Sequence, residues 1–178
     1  MKILFITLIF NLYILSANGD YKQTNLNTPY NNLASINSDD LDNDLVLNNI
    51  DKCPSTPPGV CVTDDGCTQI LKYTIHFDTG LATINKHSSK IVNQIINIAQ
   101  ECYGYHIIIE GHTDSTSNEK YNKYLSKKRA IQLKKALLMF GIKDQRITLK
   151  WFGETKPISS NNTEDGRKQN RRVDIYFK

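Results

Sequence analysis

Glu110 to Arg129 reads EGHTDSTSNEKYNKYLSKKR. It opens at the end of an apolar run, Ile107-Ile108-Ile109, whose branched side chains predict a buried strand. It closes inside a long basic helix, expected from about Asn118 to Phe140. Between them lies a turn-forming segment, Gly111 to Asn118, that carries Asp114. A carboxylate just past the carboxyl end of a strand stands where α/β sheets place ligand-binding groups.

The helix has two unlike faces when each residue advances by about 100°. Lys120, Lys123, Lys127, Lys128, Lys134 and Lys135 fall on one broad arc. Leu125, Leu133, Ala136, Leu137 and Phe140 fall on the opposite arc, which should face a core. Arg129 lies on that apolar arc, with Asn122 and Ser126 beside it. An arginine directed into a core is costly unless paired. Its nearest partner in sequence is Asp114, on the loop that leads into the helix. Two readings follow: a structural Asp–Arg pair that closes a loop, or two charges flanking a ligand that carries both an ammonium and a carboxylate.

Charge divides along the chain. Residues 20–67 hold 2 Lys+Arg against 8 Asp+Glu, and residues 68–178 hold 19 against 10. A basic domain suits an anionic polymer or surface. Lys2 precedes a mostly apolar run, Ile3 to Leu15, and Ala17-Asn18-Gly19 supplies small residues for a cleavage site. This pattern is expected to be a secretory signal peptide, residues 1–19, too short for a comfortable membrane span. No cysteine stands near the cut, so a lipid anchor is not expected. Four cysteines suit an oxidising compartment, and three pairings are open to them. The spacing C-x7-C-x5-C of Cys53, Cys61 and Cys67 lacks the knuckles of a zinc site.

Residues 20–68 are read as an acidic, cysteine-bearing linker, with 20–50 extended or disordered. Within it, Asp40, Asp42 and Asp44 alternate as in a calcium loop. Leu45, however, stands at the sixth position, where the sharp turn calls for glycine. The Pro/Gly-rich stretch DKCPSTPPGVCVTDDGC can hardly bury a core, and a Cys53–Cys67 bridge would staple it. Cys61 is then left to pair with Cys102 or to stay free. The globular domain is expected over residues 69–178. Strands are predicted at Ile70–Phe77, His106–Glu110, Ile147–Phe152 and Val173–Phe177, with helices at Ile84–Cys102 and about Asn118–Phe140. Gly153 to Asn170 reads as a loop. The alternation predicts an α/β two-layer sandwich, βαβαβ plus a final strand. That last strand returns without a full crossover helix, so the sheet should be mixed.

Several motifs then coincide: Ile75-His76-Phe77-Asp78, Gly111-His112-Thr113-Asp114, Tyr121-Asn122, Leu125-Ser126, Arg129-Ala130, Gly153-Glu154, Pro157-Ile158, Asn161, Thr163, Gly166-Arg167 and Asn170-Arg171-Arg172-Val173. Over about residues 70–178 the chain resembles the peptidoglycan-binding domain at the C-terminus of outer membrane protein A, shared with peptidoglycan-associated lipoprotein and flagellar stator proteins. The cysteine-bearing stretch resembles the linker before this domain in porin-like members, and the D-x-D-x-D run resembles, in degenerate form, the thrombospondin-type calcium repeats of that linker. The resemblance implies that Asp114 takes the ammonium of diaminopimelate in the peptidoglycan stem peptide, and that Arg129 forks onto its carboxylate. It implies that Asn122 hydrogen-bonds the ligand, with Thr113 and Asp78 lining the same end of the sheet. Ser117 stands where the family usually has glycine.

The expected role is therefore binding of peptidoglycan in the periplasm, at the outer membrane or on an envelope partner, with no cofactor and no nucleic acid. His76-x-Asp78 and His112-x-Asp114 resemble metal ligands at strand ends, but no nucleophile motif or phosphate loop accompanies them, so catalysis is not expected. The runner-up is a surface or periplasmic adhesin with a calcium-influenced acidic linker. A seam of Tyr124, Ile131 and Leu138 on the lysine face would suit a partner or a homodimer.

Overall fold

The computed structural model describes the backbone of residues 13–15 and 21–23 and the whole of 39–178. Two short strands, β1 (Tyr13–Leu15) and β2 (Tyr21–Gln23), pair antiparallel. Most of the expected signal peptide lies outside the described residues. The compact unit that holds the domain runs from Asn37 to Lys178.

Its elements follow in order: β3 (Leu71–His76), α1 (Lys86–Glu101), β4 (Ile107–Gly111), α2 (Glu119–Met139), a 3₁₀ turn (Asp144–Arg146), β5 (Ile147–Trp151), α3 (Glu164–Asn170) and β6 (Arg172–Phe177). The sheet order is β3-β6-β4-β5. β4 and β5 are parallel, while β6 lies antiparallel between β3 and β4. The fold is thus the expected mixed α/β sandwich. The N-terminal end of β6 lies beside the carboxyl ends of β3 and β4, since His76 pairs Arg172 and Gly111 pairs Val173.

Period-two alternation sets the inner face. Ile75, Ile107, Ile109, Val173, Ile175 and Phe177 are all fully buried. They meet Val92, Ile95 and Ala99 of α1 and Ala130, Leu133 and Leu137 of α2. Asn85 caps α1, accepting from the Ser88 N–H, and Asn118 caps α2, accepting from the Tyr121 N–H. Arg146 closes the other end of α1 by donating to the carbonyls of Ala99, Cys102 and Tyr105. The outer face of the sheet carries Asp174, which accepts from Thr74 Oγ1 and from Arg172 Nε.

Three expectations need correction. Phe140 does not join the core: it is the C-cap of α2 and lies exposed, because the helix ends as Gly141 turns with φ +85°. The stretch Gly153–Asn170 is not all loop, since Thr163 caps the seven-residue α3 by accepting from the Gly166 N–H. Of residues 20–50, expected to be extended or disordered, 20 and 24–38 lie outside the described residues, and 39–50 are not disordered. They form turns tied by side chains, as when Asp40 accepts from the Leu45 N–H and Asn48 from the Leu41 N–H.

Both disulfide pairings are settled: Cys53–Cys67 and Cys61–Cys102. The first closes the Pro/Gly segment. The second fastens that segment to the end of α1, where Tyr105 Oη also bonds the carbonyls of Cys61 and Gln69. Cys61 and Cys102 are separated by 41 residues, and a cross-link of that span restricts the unfolded chain by about 4 kcal/mol in the loop-entropy model. A Cys61→Ser/Cys102→Ser chain should lose roughly that much in denaturant unfolding under non-reducing conditions, and a loss below about 1 kcal/mol would show that the bridge is dispensable.

Candidate functional site

The site lies where β3, β4 and β6 bring their ends together. Its centre is Arg129, fully buried on α2. Nε donates to Leu81 O at 2.9 Å, Nη1 to His112 O at 2.9 Å and Nη2 to Asp78 O at 3.1 Å. The guanidinium also lies over the Phe77 ring, 5.1 Å from its centroid. One side chain thus ties the turn after β3 to the loop after β4. Burial pushes its pKa down to about 10, with the attraction of Asp114 acting the other way, so it stays charged at neutral pH.

The approach of α2 to the sheet depends on small residues. A Cβ on Gly111 would stand 2.1 Å from Ser126 O. Gly153, at φ +58°, donates its N–H to Ser126 Oγ and accepts from the Thr113 N–H. These contacts hold the first half of α2 close over the strand ends and deliver Arg129 between the loops.

Asp114 does not pair with Arg129. Its Oδ2 accepts from Arg171 Nη1 at 2.9 Å, and Arg171 Nη2 bonds Glu164 Oε1 at 2.8 Å. Arg171 immediately precedes β6, so insertion of that strand beside β4 brings the two charges together. Asp114 and Arg171 are both nearly buried. Among the described residues no carboxylate lies within ion-pair distance of Arg129.

The other expected residues are placed as follows. Thr113 is buried, with Oγ1 lacking any hydrogen-bond partner. Asp78 is exposed, and its Oδ2 accepts from Asn85 Nδ2. Asn122 is buried and donates to Ser117 O and Glu154 Oε2, which makes it an organiser of the loops around the site. A cleft of about 530 Å³ opens beside Asp78 and Arg171, bounded also by Asn85, Ser88 and Glu164. His76 and His112 serve separate purposes: the first meets Lys168 O at the surface, and the second stacks on Phe152 with centroids 5.3 Å apart.

The model of the OmpA family matches residues 76–171, just over half of the chain. The chain belongs to the OmpA family. Outer membrane porin F of Pseudomonas aeruginosa is 32% identical over 141 residues, covering 76% of this chain and 40% of the porin. Peptidoglycan-associated lipoprotein of Buchnera aphidicola is 36% identical over 104 residues, covering 58% of this chain and 60% of that one. This OmpA-family chain therefore spans about half the length of these relatives. Among solved structures, the peptidoglycan-associated lipoprotein of Burkholderia pseudomallei superposes with a TM-score of 0.57 at 27% identity, covering 59% of this chain and 89% of that one. The C-terminal domain of Helicobacter pylori MotB gives 0.55 at 28% identity, covering 60% and 84%.

Two members of this OmpA-family site carry no role in the sequence reading: Arg171 and Glu164. Arg171 sat within a motif, next to Arg172, with nothing local to mark which of the two faces the loop of Asp114. The signal was available only through the strand order.

His112 gives the site a pH dependence. Burial pushes its pKa down to about 4, assisted by the charge of Arg172, and Asp174 opposes only in part. The 3.9 Å approach of Nε2 to Asp174 is therefore not an ion pair at neutral pH; Asp174 is already bonded to Arg172 and Thr74. An unfolded histidine takes a proton near pH 6.5, the folded one only near 4, so stability is present above pH 6.5 and falls as pH drops through that window. The loss reaches up to about 3 kcal/mol. His112→Phe breaks no hydrogen bond, since neither ring nitrogen has a partner. It should flatten the fall between pH 6.5 and 4 in denaturant titrations, and an unchanged slope would mean that His112 is not its source.

Proposed function

We propose that the chain binds peptidoglycan non-covalently through the diaminopimelate of its stem peptide, and so tethers the cell wall to the outer membrane or to an envelope partner. One observation carries this reading. Arg129 is a buried cation at the carboxyl end of the sheet, and its three bonded acceptors are all neutral carbonyls. A guanidinium has five N–H donors in a fork that matches a carboxylate, so two remain for a ligand. Asp114, already shared with Arg171, supplies the opposite charge for an ammonium. Thr113 Oγ1 offers a further buried polar atom without a partner.

Access to Arg129 requires movement. The turn Asp78–Leu81 covers it, closed by the Leu81 N–H to Asp78 O. In the proposed complex this turn swings aside, and the ligand carboxylate takes the place of the Leu81 and Asp78 carbonyls. Gly80, at φ +68° with no neighbour within 4 Å of its Cβ position, leaves the turn free to do so. Asn122 would act indirectly, by holding Ser117 and Glu154 in place. The lysines of α2 give the approach face a positive field suited to an anionic wall. The relatives named as outer membrane porin and peptidoglycan-associated lipoprotein support a periplasmic, outer-membrane-associated location. No helix among the described residues is long and apolar enough to cross a membrane.

The test is a pull-down on purified diaminopimelate-type peptidoglycan, with free diaminopimelate as competitor. Wild type should be retained and competed off. Asp114→Ala, which leaves Arg171 paired with Glu164, should stay folded by circular dichroism and bind at least about tenfold more weakly. Arg129→Lys should weaken binding similarly, because an ammonium cannot reproduce the fork. Equal retention of all three chains, or none for wild type, would leave Arg129 as a structural tie between two loops.

A further inference from the structure

The acidic segment before the domain has a construction of its own. One carboxylate oxygen from each of Asp40, Asp42 and Asp44 falls within 4.8 Å of the others. On each residue one oxygen is occupied by a backbone donor: Asp40 Oδ2 accepts from the Leu45 N–H, Asp42 Oδ2 from the Thr56 N–H and Asp44 Oδ1 from the Val46 N–H. The second oxygen of each, Asp40 Oδ1, Asp42 Oδ1 and Asp44 Oδ2, is buried without any hydrogen-bond partner. Asp51 repeats the pattern, with Oδ1 accepting from the Cys53 N–H and Oδ2 buried and bare. It stands next to Asp44: a Cβ on Gly66 would be 2.0 Å from Asp51 Oδ1 and 3.3 Å from Asp44 Oδ2.

This is more than an exposed acidic run. Asp40 is only 8% exposed, yet its Oδ1 has nothing to bond. A buried carboxylate oxygen with no donor is disfavoured, and several gathered together repel as well. Among the described residues no cation is paired with the group: Lys52 pairs with Asp65. The chain also adopts the turn that Leu45 seemed to forbid. Leu45 takes φ +74° with its side chain 93% exposed, so the left-handed conformation is reached without glycine.

We propose that Asp40, Asp42, Asp44 and Asp51 bind a single hard divalent cation, calcium in preference to magnesium. All the ligands are carboxylate oxygens carried on irregular backbone, which accommodates the larger ion and its variable coordination better than a rigid octahedron. The cation closes the segment from both sides: Asp42 reaches Thr56, and Thr56 Oγ1 reaches Gly66 O beside the Cys53–Cys67 bridge. Through Cys61–Cys102 that segment is fastened to α1. Calcium and the two disulfides therefore act together to make residues 39–67 a rigid clasp on the domain. The proposal is independent of the peptidoglycan reading.

The experiment titrates the full oxidised chain, stripped with EDTA, with Ca²⁺ by isothermal calorimetry, and repeats it with Mg²⁺. We expect one Ca²⁺ per chain with Kd of about 10⁻³ M or tighter, magnesium weaker by about tenfold, and a Tm that rises in calcium over EDTA. Asp42→Asn/Asp44→Asn keeps the oxygens that accept from Thr56 and Val46 and alters the bare ones. It should keep its circular dichroism spectrum and lose affinity by at least about tenfold. Absence of stoichiometric Ca²⁺ uptake by wild type overturns the proposal whatever the variant does. So does undiminished affinity in the folded variant.

Discussion

Everything at the working end of the domain depends on one buried guanidinium. Arg129 is placed among carbonyl oxygens from two loops that are far apart in sequence, and it bonds three of them. A buried arginine without such acceptors would be strongly disfavoured, and loops without such a donor would have carbonyls to satisfy elsewhere. The turn after β3 and the loop after β4 therefore take their positions from a single side chain on α2. That side chain is in turn positioned by the close contact of α2 with Gly111 and Gly153.

Beside this tie lies a second, acidic half. Asp114 and Glu164 bracket Arg171, and Asn170, the last residue of α3, donates its side-chain amide to Asn161 Oδ1 on the loop before that helix. Asn161 Oδ1 also accepts from the Ser115 N–H, which links this loop to the one carrying Asp114. The two halves leave opposite charges side by side, one cation whose bonded partners are neutral and one carboxylate already shared. That asymmetry is what the proposed zwitterion reading rests on, and it is a consequence of where β6 enters the sheet.

The acidic segment and the basic domain follow different physical rules. The domain has an apolar core between a sheet and two helices, and its burial follows from side-chain periodicity. The segment from Asp39 to Cys67 has almost no core, with Val46 its one buried aliphatic residue. It holds its shape through two disulfides, Asx-type turns and backbone hydrogen bonds to aspartates. Its first part, residues 39–50, looks disordered by composition, which is why the expectation of an extended or disordered stretch failed there, whereas the expected Cys53–Cys67 staple is present.

By itself the sequence determined the strands, the two long helices and the mixed α/β class, because burial periodicity is a local property that any window of residues displays. It also marked Arg129, since an arginine on an apolar arc needs no tertiary information to be noticed, and the even cysteine count in a chain with an export-like N-terminus. It did not determine the partner of Asp114. Nearness in sequence suggested Arg129; the fold supplied Arg171, 57 residues away, because β6 inserts antiparallel between β3 and β4. Nor did it reveal that four aspartates each leave one oxygen bare, since that depends on which backbone N–H groups the turns present to them. Strand order and turn geometry arise from long-range pairing, where the energy of a contact depends on residues that no local pattern connects. Only the tertiary structure decided those.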